Sequence, residues 1–467
     1  MATKSEISLI LHLLRRSGFG VSFDEAERLA NQGYEVTVDR LLRPEEQPEI
    51  DELELARYHP VAELAEMINT GHLVFLYRLV MTQQPLREKL ALFWHQVFAT
   101  GETKVMGTFD LLQQIEIFRT HGMGNFKVLL TEISRDPAML FWLDNNENHK
   151  RATNENWGRE LLELFTMGVG NYNEYDVKEA SKAFTGWTMG GKLPPIAHYG
   201  PFRWEFEYRP EDHDVSEKLF LGHNGRFNGE DIIDVIVNQP ACARFLARHL
   251  YNFFVADEAQ VPAWIYEPPR DPNAINVLSS AFVETDFEIR EVLRVLFNSD
   301  FFKESPFRKV KSPIDVVAGT LRATRELDGP SPKWNPIAEA PSAMGQSLLD
   351  PPSVEGWHTG REWVNSGAFV NRVNFVSDRF NDPELPGIRS IIDRITRSNG
   401  HAITAEGLVD RCLEQLGFLE LEDDVRQEII EQVVDSGPIS FGSHIEASRH
   451  VCSVLALIAG TREYQFG

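Results

Sequence analysis

Asn154-Glu155-Asn156-Trp157-Gly158-Arg159-Glu160-Leu161-Leu162-Glu163-Leu164-Phe165-Thr166-Met167 is the stretch that decides the fold class of this 467-residue chain. At 3.6 residues per turn, Trp157, Leu161, Leu164 and Phe165 share one side of a helix, so that side is expected to be buried. Glu155, Arg159 and Glu163 step by four along another face, with Asn156 and Glu160 beside them. Asn154 suits the N-cap, because a short polar side chain can accept an unpaired N–H of the first turn. Gly168-Val169-Gly170-Asn171 comes next and ends the helix. An apolar stripe backed by a charged one describes a helix lying on a core.

Outward from this stretch the same periodicity recurs. It predicts helices over residues 60–81, 86–98, 108–121 and 125–133, and Asp136-Pro137 opens a short one with Pro in its first turn. Ser22-Phe23-Asp24-Glu25 has the spacing of a capping box. Asn173-Glu174-Tyr175-Asp176 begins a helix that runs to Phe184. Further helices are predicted over 231–237, 240–254, 273–283, 288–298, 313–326 and 361–380. Character changes only between 190 and 228, where Gly-Gly, Pro-Pro and the alternating Phe202-Arg203-Trp204-Glu205-Phe206-Glu207-Tyr208 predict a hairpin or small sheet. The Pro- and acid-rich residues 381–387 mark a boundary, followed by amphipathic segments at 388–397, 405–415, 422–434 and 445–458. The expectation is a mainly α protein: a large multi-helical domain over 1–380 with a β insertion at 190–228, and a C-terminal helical subdomain over 388–467 packed on it.

Charge narrows the partners. Seventy acidic residues against 46 basic give a net charge of −24. Such a surface repels phosphate backbones and anionic lipid, which argues against a nucleic acid partner. No apolar run approaches the ~18 residues that cross a bilayer, so no membrane insertion is expected. Met1-Ala2-Thr3-Lys4-Ser5-Glu6 leads on to His12, Arg15 and Arg16 without a small-residue cleavage site. The expected location is therefore cytoplasmic, with an envelope or secreted location open if a leader was removed. Cys242, Cys412 and Cys452 lie far apart without metal spacing and read as buried thiols. HExxH, Walker and GxSxG motifs are absent, so no cofactor is expected, a divalent metal apart.

The candidate chemistry lies in the carboxylates. Glu155, Glu160 and Glu163 share a strip with Arg159 as their one cation, and converging carboxylates raise one another's pKa, as general acid catalysis near neutral pH requires. On this reading Glu163 is the acid, Glu155 or Glu160 the second carboxylate ~5–9.5 Å away, and His95 or His213 a helper. Asn154, Asn156, Arg159, Thr166, Trp187 and Asp144, the last in Asp144-Asn145-Asn146-Glu147-Asn148-His149, are expected to contact substrate. Trp357 sits in the rigid loop Asp350-Pro351-Pro352-Ser353-Val354-Glu355-Gly356-Trp357-His358-Thr359-Gly360 and offers either a platform for a sugar ring or an aromatic plug in the core. The plainer reading of the strip is a solvated face with ion pairs worth ~0.2–0.5 kcal/mol each. Asp212-His213-Asp214 makes His213 and Asp214 candidate metal ligands. Three functional expectations result: an acid/base hydrolase or lyase acting on a glycan, a metal-dependent hydrolase, and a non-enzymatic scaffold whose acidic groove binds a partner protein or cationic ligand. Oligomeric state is not legible.

Several motifs in fixed order carry a resemblance. His12-Leu13-Leu14-Arg15-Arg16-Ser17-Gly18-Phe19-Gly20, Arg87-Glu88-Lys89-Leu90-Ala91-Leu92-Phe93-Trp94-His95, Asn154-Glu155-Asn156 through Gly168, Ala183-Phe184-Thr185-Gly186-Trp187 and Pro351-Pro352 through Trp357 resemble the bacterial family called domain of unknown function 1800. The resemblance spans about residues 10 to 380. It implies that the Asn-Glu-Asn helix, the His after Phe-Trp and the Thr-Gly-Trp turn belong to a recurrent pattern, and it assigns none of them a role. Export of many members implies an envelope or extracellular setting, from which this chain departs by lacking a signal sequence.

Overall fold

The computed structural model describes residues 2–59, 68–105, 107–192, 203–259, 267–399, 403–437, 439, 441 and 443–467. Helices dominate, and the strands among the described residues form two small antiparallel pairs. β1 (Trp187–Lys192) pairs with β2 (Arg203–Tyr208), Trp187 opposite Tyr208. β3 (Lys218–Phe220) pairs with β4 (His223–Gly225). The expected mainly α fold with a β insertion is what the chain adopts. Residues 60–67 of one predicted helix and 193–202 of the insertion lie outside the described residues.

Local chemistry sets most helix ends. Asp136 accepts the Met139 N–H ahead of Pro137–Trp142, and Asn173 and Asp176 form a reciprocal capping box at the start of Glu174–Ala183. Ser22 also caps its helix through Glu25 N–H, but the return arm is missing because the Glu25 carboxylate holds Arg28 instead. The helix predicted over 361–380 is split. A 3₁₀ turn at Gly360–Trp363 precedes Ser366–Phe380, whose start is set by Asn365 accepting the Ala368 N–H.

One contiguous apolar core runs through the chain. Pro85–Val97 packs on Thr108–His121, and Pro313–Thr324 packs on both Ile68–Met81 and Ser366–Phe380. His444–Ala459 lies against Ser366–Phe380, which brings the C-terminal helices onto the body. Phe98 stacks on Phe118 and meets Phe165 at 5.3 Å between centroids, seating the carboxylate-bearing helix on this core. All three cysteines are free and buried. Among the described residues no helix is long and apolar enough to cross a membrane.

Candidate active site

The carboxylate strip is carried by two helical geometries joined end to end. Asn156–Glu160 is α-helical, and Leu161–Thr166 widens into a π-helix. Met167 N–H accordingly reaches back five residues to Leu162 O, at 3.1 Å. Asn154, expected as the N-cap, stands one residue further out, with Glu155 in the cap position and the Asn154 side chain accepting the Asn156 N–H. The wider turn rotates the side chains beyond it. Leu161, Leu162, Phe165 and Thr166 are buried, whereas Leu164, expected inside, is only partly so. π-turns inside helices have poor hydrogen-bond economy and concentrate at functional sites.

Gly158 explains how the strip is held. A Cβ there would lie 3.0 Å from Val177 O and closer still to Ser181 Oγ, so the helix presses directly on Glu174–Ala183. That close approach outweighs the ~1 kcal/mol that glycine costs inside a helix.

On the strip, Glu160 is displaced from ordinary carboxyl behaviour. It is half-buried and has no hydrogen-bond partner among the described residues. Burial raises its pKa, Glu163 and Glu355 raise it further, and Arg159 only partly opposes them, leaving it at about 7. Glu163 does have a partner. Gly168 and Gly170, at φ 79° and 91°, fold the chain back after the π-helix, and the Tyr172 hydroxyl donates to Glu163 Oε2 at 2.6 Å. Burial and that bond push the Tyr172 phenol upward. Arg159 turns to Glu174, making two 2.7 Å bonds, and to Glu155 at 3.4 Å. It is therefore pinned rather than free to neutralise Glu160.

Two loops border the strip. Asp144, in the left-handed region at φ 55°, accepts from Lys104 Nζ at 2.7 Å and from Asn156 Nδ2 at 3.4 Å. Behind it Asn145 donates to Trp187 O and Asn148 to Ser181 O, while Asn148 Oδ1 accepts the Asn154 N–H. These two amides clip the loop in place. On the other side Gly356, at φ 86°, crosses so close to Gln96 O that any Cβ would collide with it. That pins the segment carrying Glu355 and Trp357 to the end of the Pro85–Val97 helix.

The remaining expected residues are spread more widely. Trp357 is 2% exposed, its ring 5.1 Å from that of His95, so it closes the core and offers no open face for a sugar. His95 is fully buried among Phe75, Phe118 and Trp357, and burial followed by the nearby His72 takes its pKa down to about 3. Trp187 is buried and donates to Asn228 Oδ1, and the Thr166 hydroxyl donates to Leu161 O. His213 Nδ1 meets Thr185 O at 2.9 Å, while Asp214 binds Ser216. Gly186, at φ 78°, lets the Thr-Gly-Trp turn close on Arg209 O and His213, so that motif is a packing device. Among the described residues no group of three or more His, Cys, Asp or Glu is placed to hold a metal ion.

A family model described as "Protein of unknown function (DUF1800)" matches residues 12–466. The chain belongs to the DUF1800 family. The DUF1800 match takes in the carboxylate strip, both bordering loops and the C-terminal helices, and so extends beyond the motifs that carry the resemblance. No curated protein and no solved structure matches the chain.

Sequence reasoning passed over Tyr172, Glu174 and Glu355, all of which act on the strip. The signal for Tyr172 was the pair of glycines in Gly168-Val169-Gly170, whose positive φ returns the chain nine residues after Glu163. It also passed over His72 and Glu102, which approach each other to 3.3 Å beneath the second loop.

Proposed function

We propose that this DUF1800 protein is an acid/base hydrolase or lyase and that Glu160 is its general acid. The observation that carries this reading is a half-buried carboxyl group without a hydrogen-bond partner among the described residues, with a pKa raised to about 7 beside a second carboxylate held by a tyrosine. A group poised near neutral pH is the most effective proton donor there. The roles first expected from spacing are thereby exchanged. Glu163, already engaged by Tyr172, becomes the second carboxylate, and Glu160 the donor.

In the hydrolytic form a C–O bond breaks and the Glu160 proton passes to the leaving oxygen. Water adds to the carbon and gives its proton to Glu163, so the site ends with one proton, as it began. A glycan is the substrate class we assign, because the bond to be broken is uncharged and so is not repelled by a chain of net charge −24. Asn156, Asp144 and Lys104 border the strip as hydrogen-bonding groups for sugar hydroxyls.

The test is a release assay over polysaccharides and synthetic glycosides, with wild type and Glu160→Gln side by side. Turnover is expected to fall by about 10²–10⁴-fold in the variant, the usual loss for a general acid. Wild-type activity is expected to decline as pH rises through about 7, the Glu160 value. A Glu160→Gln protein that turns over at the wild-type rate refutes the assignment.

A further inference from the structure

A concentration of buried basic residues outside the strip lies where the Lys4–Arg16 helix meets Pro313–Thr324 and the C-terminal segments. A cavity of about 110 Å³ is lined there by Arg15, Arg16, Lys311, Asp315, Tyr464 and Gly417, among others. Its one carboxylate is already spent, since Asp315 forms a close ion pair with Lys89 and accepts the Ser312 N–H at 3.0 Å. Nearby Lys309 is likewise matched by Asp257, at 2.9 Å. Among the described residues no direct ion pair serves the other cations, although the Asp315 charge also acts on Arg16 and Lys311. Among the described residues Arg16 donates to the carbonyls of Phe253 and Phe254, and Lys311 to that of Tyr464. Arg372, behind Lys311, donates to Lys311 O and has a buried Nε without a partner.

Arg15 is the most telling. Its guanidinium lies 4.4 Å over the Phe307 ring, makes no hydrogen bond among the described residues, and has a buried Nη1 without an acceptor. Gly417, at φ 91°, admits it: a Cβ there would overlap Arg15 Nη2. A chain this acidic has no shortage of carboxylates, yet among the described side chains Asp315 is the one carboxylate that lines the cavity. Buried charge without a counter-charge costs several kcal/mol, and arginine does not escape by losing its proton. The planar guanidinium fork fits an oxoanion through two parallel N–H donors.

We propose that this cavity is a binding site for a small oxoanion of the phosphate or carboxylate class, held by Arg15 with Arg16 and Lys311. A bound anion would tie the first helix to the segments around Gly417 and Tyr464. The proposal does not depend on the carboxylate strip.

The experiment uses the full chain in a buffer free of phosphate and carboxylates. Inorganic phosphate, and separately acetate, are titrated by calorimetry, with thermal melts in matched sodium chloride. One saturable site and a rise in Tm beyond that in chloride are expected. Arg15→Gln should weaken binding about tenfold or more, with Arg15→Lys intermediate, as loss of a bidentate charged contact predicts. Should Arg15→Gln fail to fold, Lys311→Met tests the same wall. Equal stabilisation by chloride, or affinity unchanged in both variants, overturns the proposal. Gly467 is buried beside these cations, its N–H donating to Lys309 O at 2.8 Å. A third arm therefore lengthens the chain past Gly467. Phosphate binding that is lost in the lengthened protein overturns the proposal too, because main chain then fills the cavity.

Discussion

Glu160, Glu163 and Glu355 crowd negative charge along one edge of a helix, and Arg15 and Arg16 crowd positive charge around a cavity beside Lys311, whose pKa burial holds well below the usual lysine range. The two regions meet the same electrostatic difficulty with different chemistry. A carboxyl group can take up a proton, and Glu160 does so up to about pH 7, leaving a neutral acid beside a charged neighbour. A guanidinium has no comparable exit. Burial lowers the Arg15 pKa only to about 10, so the charge persists at neutral pH. Repulsion at the strip thus produces a proton donor, whereas repulsion in the cavity produces a demand for an anion.

The sharpest way to break this contrast is to remove the one carboxylate from the basic side. Burial alone would raise the Asp315 pKa, but Lys89 and Arg16 more than reverse this and hold it well below the usual carboxylate range. A depressed carboxylate contributes stability above its unfolded pKa and loses it as pH falls through the folded value. Asp315→Asn is expected to destabilise the chain by about 3–5 kcal/mol at pH 7, because it leaves Lys89 buried without its counter-charge. Urea unfolding measured at pH 7 and at about pH 3 checks both magnitude and sign, the gap between variant and wild type narrowing only below the unfolded value of ~3.9. An unchanged midpoint at pH 7 means the cations are better solvated than their burial suggests.

On the acidic side the sign inverts. The folded Glu160 value lies above the ~4.3 of an unfolded glutamate, so wild type loses stability as pH rises between the two. Glu160→Gln carries no such charge. It should match wild type near pH 4 and exceed it by on the order of 1–2 kcal/mol at pH 8, partial exposure having screened away some of the cost. Thermal melts across that range read the crossover directly. A variant less stable than wild type at pH 8 indicates that the Glu160 carboxylate has a stabilising partner.

The two regions are not equally legible in the sequence. Helices show through because their signals are local: Asn173 and Asp176 cap a helix three residues apart, and apolar spacing survives any tertiary arrangement. The strip is visible for the same reason, its three glutamates lying within nine residues. Its protonation is not, since Glu355 arrives from a distant loop and the π-helix at Leu161–Thr166 rests on one shifted hydrogen-bond register. The cavity is invisible. Arg15 and Arg16 in the last turn of a helix look like cations placed to favour its dipole, and only packing against Lys311, about three hundred residues later, buries them. His95, by contrast, stands out for its aromatic neighbours, and aromatic rings are what enclose it.

The smallest expected effect probes why the strip, unlike the cavity, needs no counter-ion. Tyr172 supplies Glu163 with a neutral O–H donor, and its phenol, pushed upward by burial and by that bond, keeps its proton throughout the working range. Tyr172→Phe removes one hydrogen bond from a partly exposed carboxylate and should cost about 0.5–1.5 kcal/mol. The more informative readout is the Glu160 titration, followed by NMR of its side-chain carboxyl carbon. With the hydroxyl gone, the Glu163 charge acts on Glu160 unshared, so Glu160 should titrate at a higher pH than in wild type. A Glu160 titration unmoved by Tyr172→Phe, with the stability loss present, would separate the two carboxylates electrically. The strip would then be two independent acids on one helix, and its protonation a matter of burial alone.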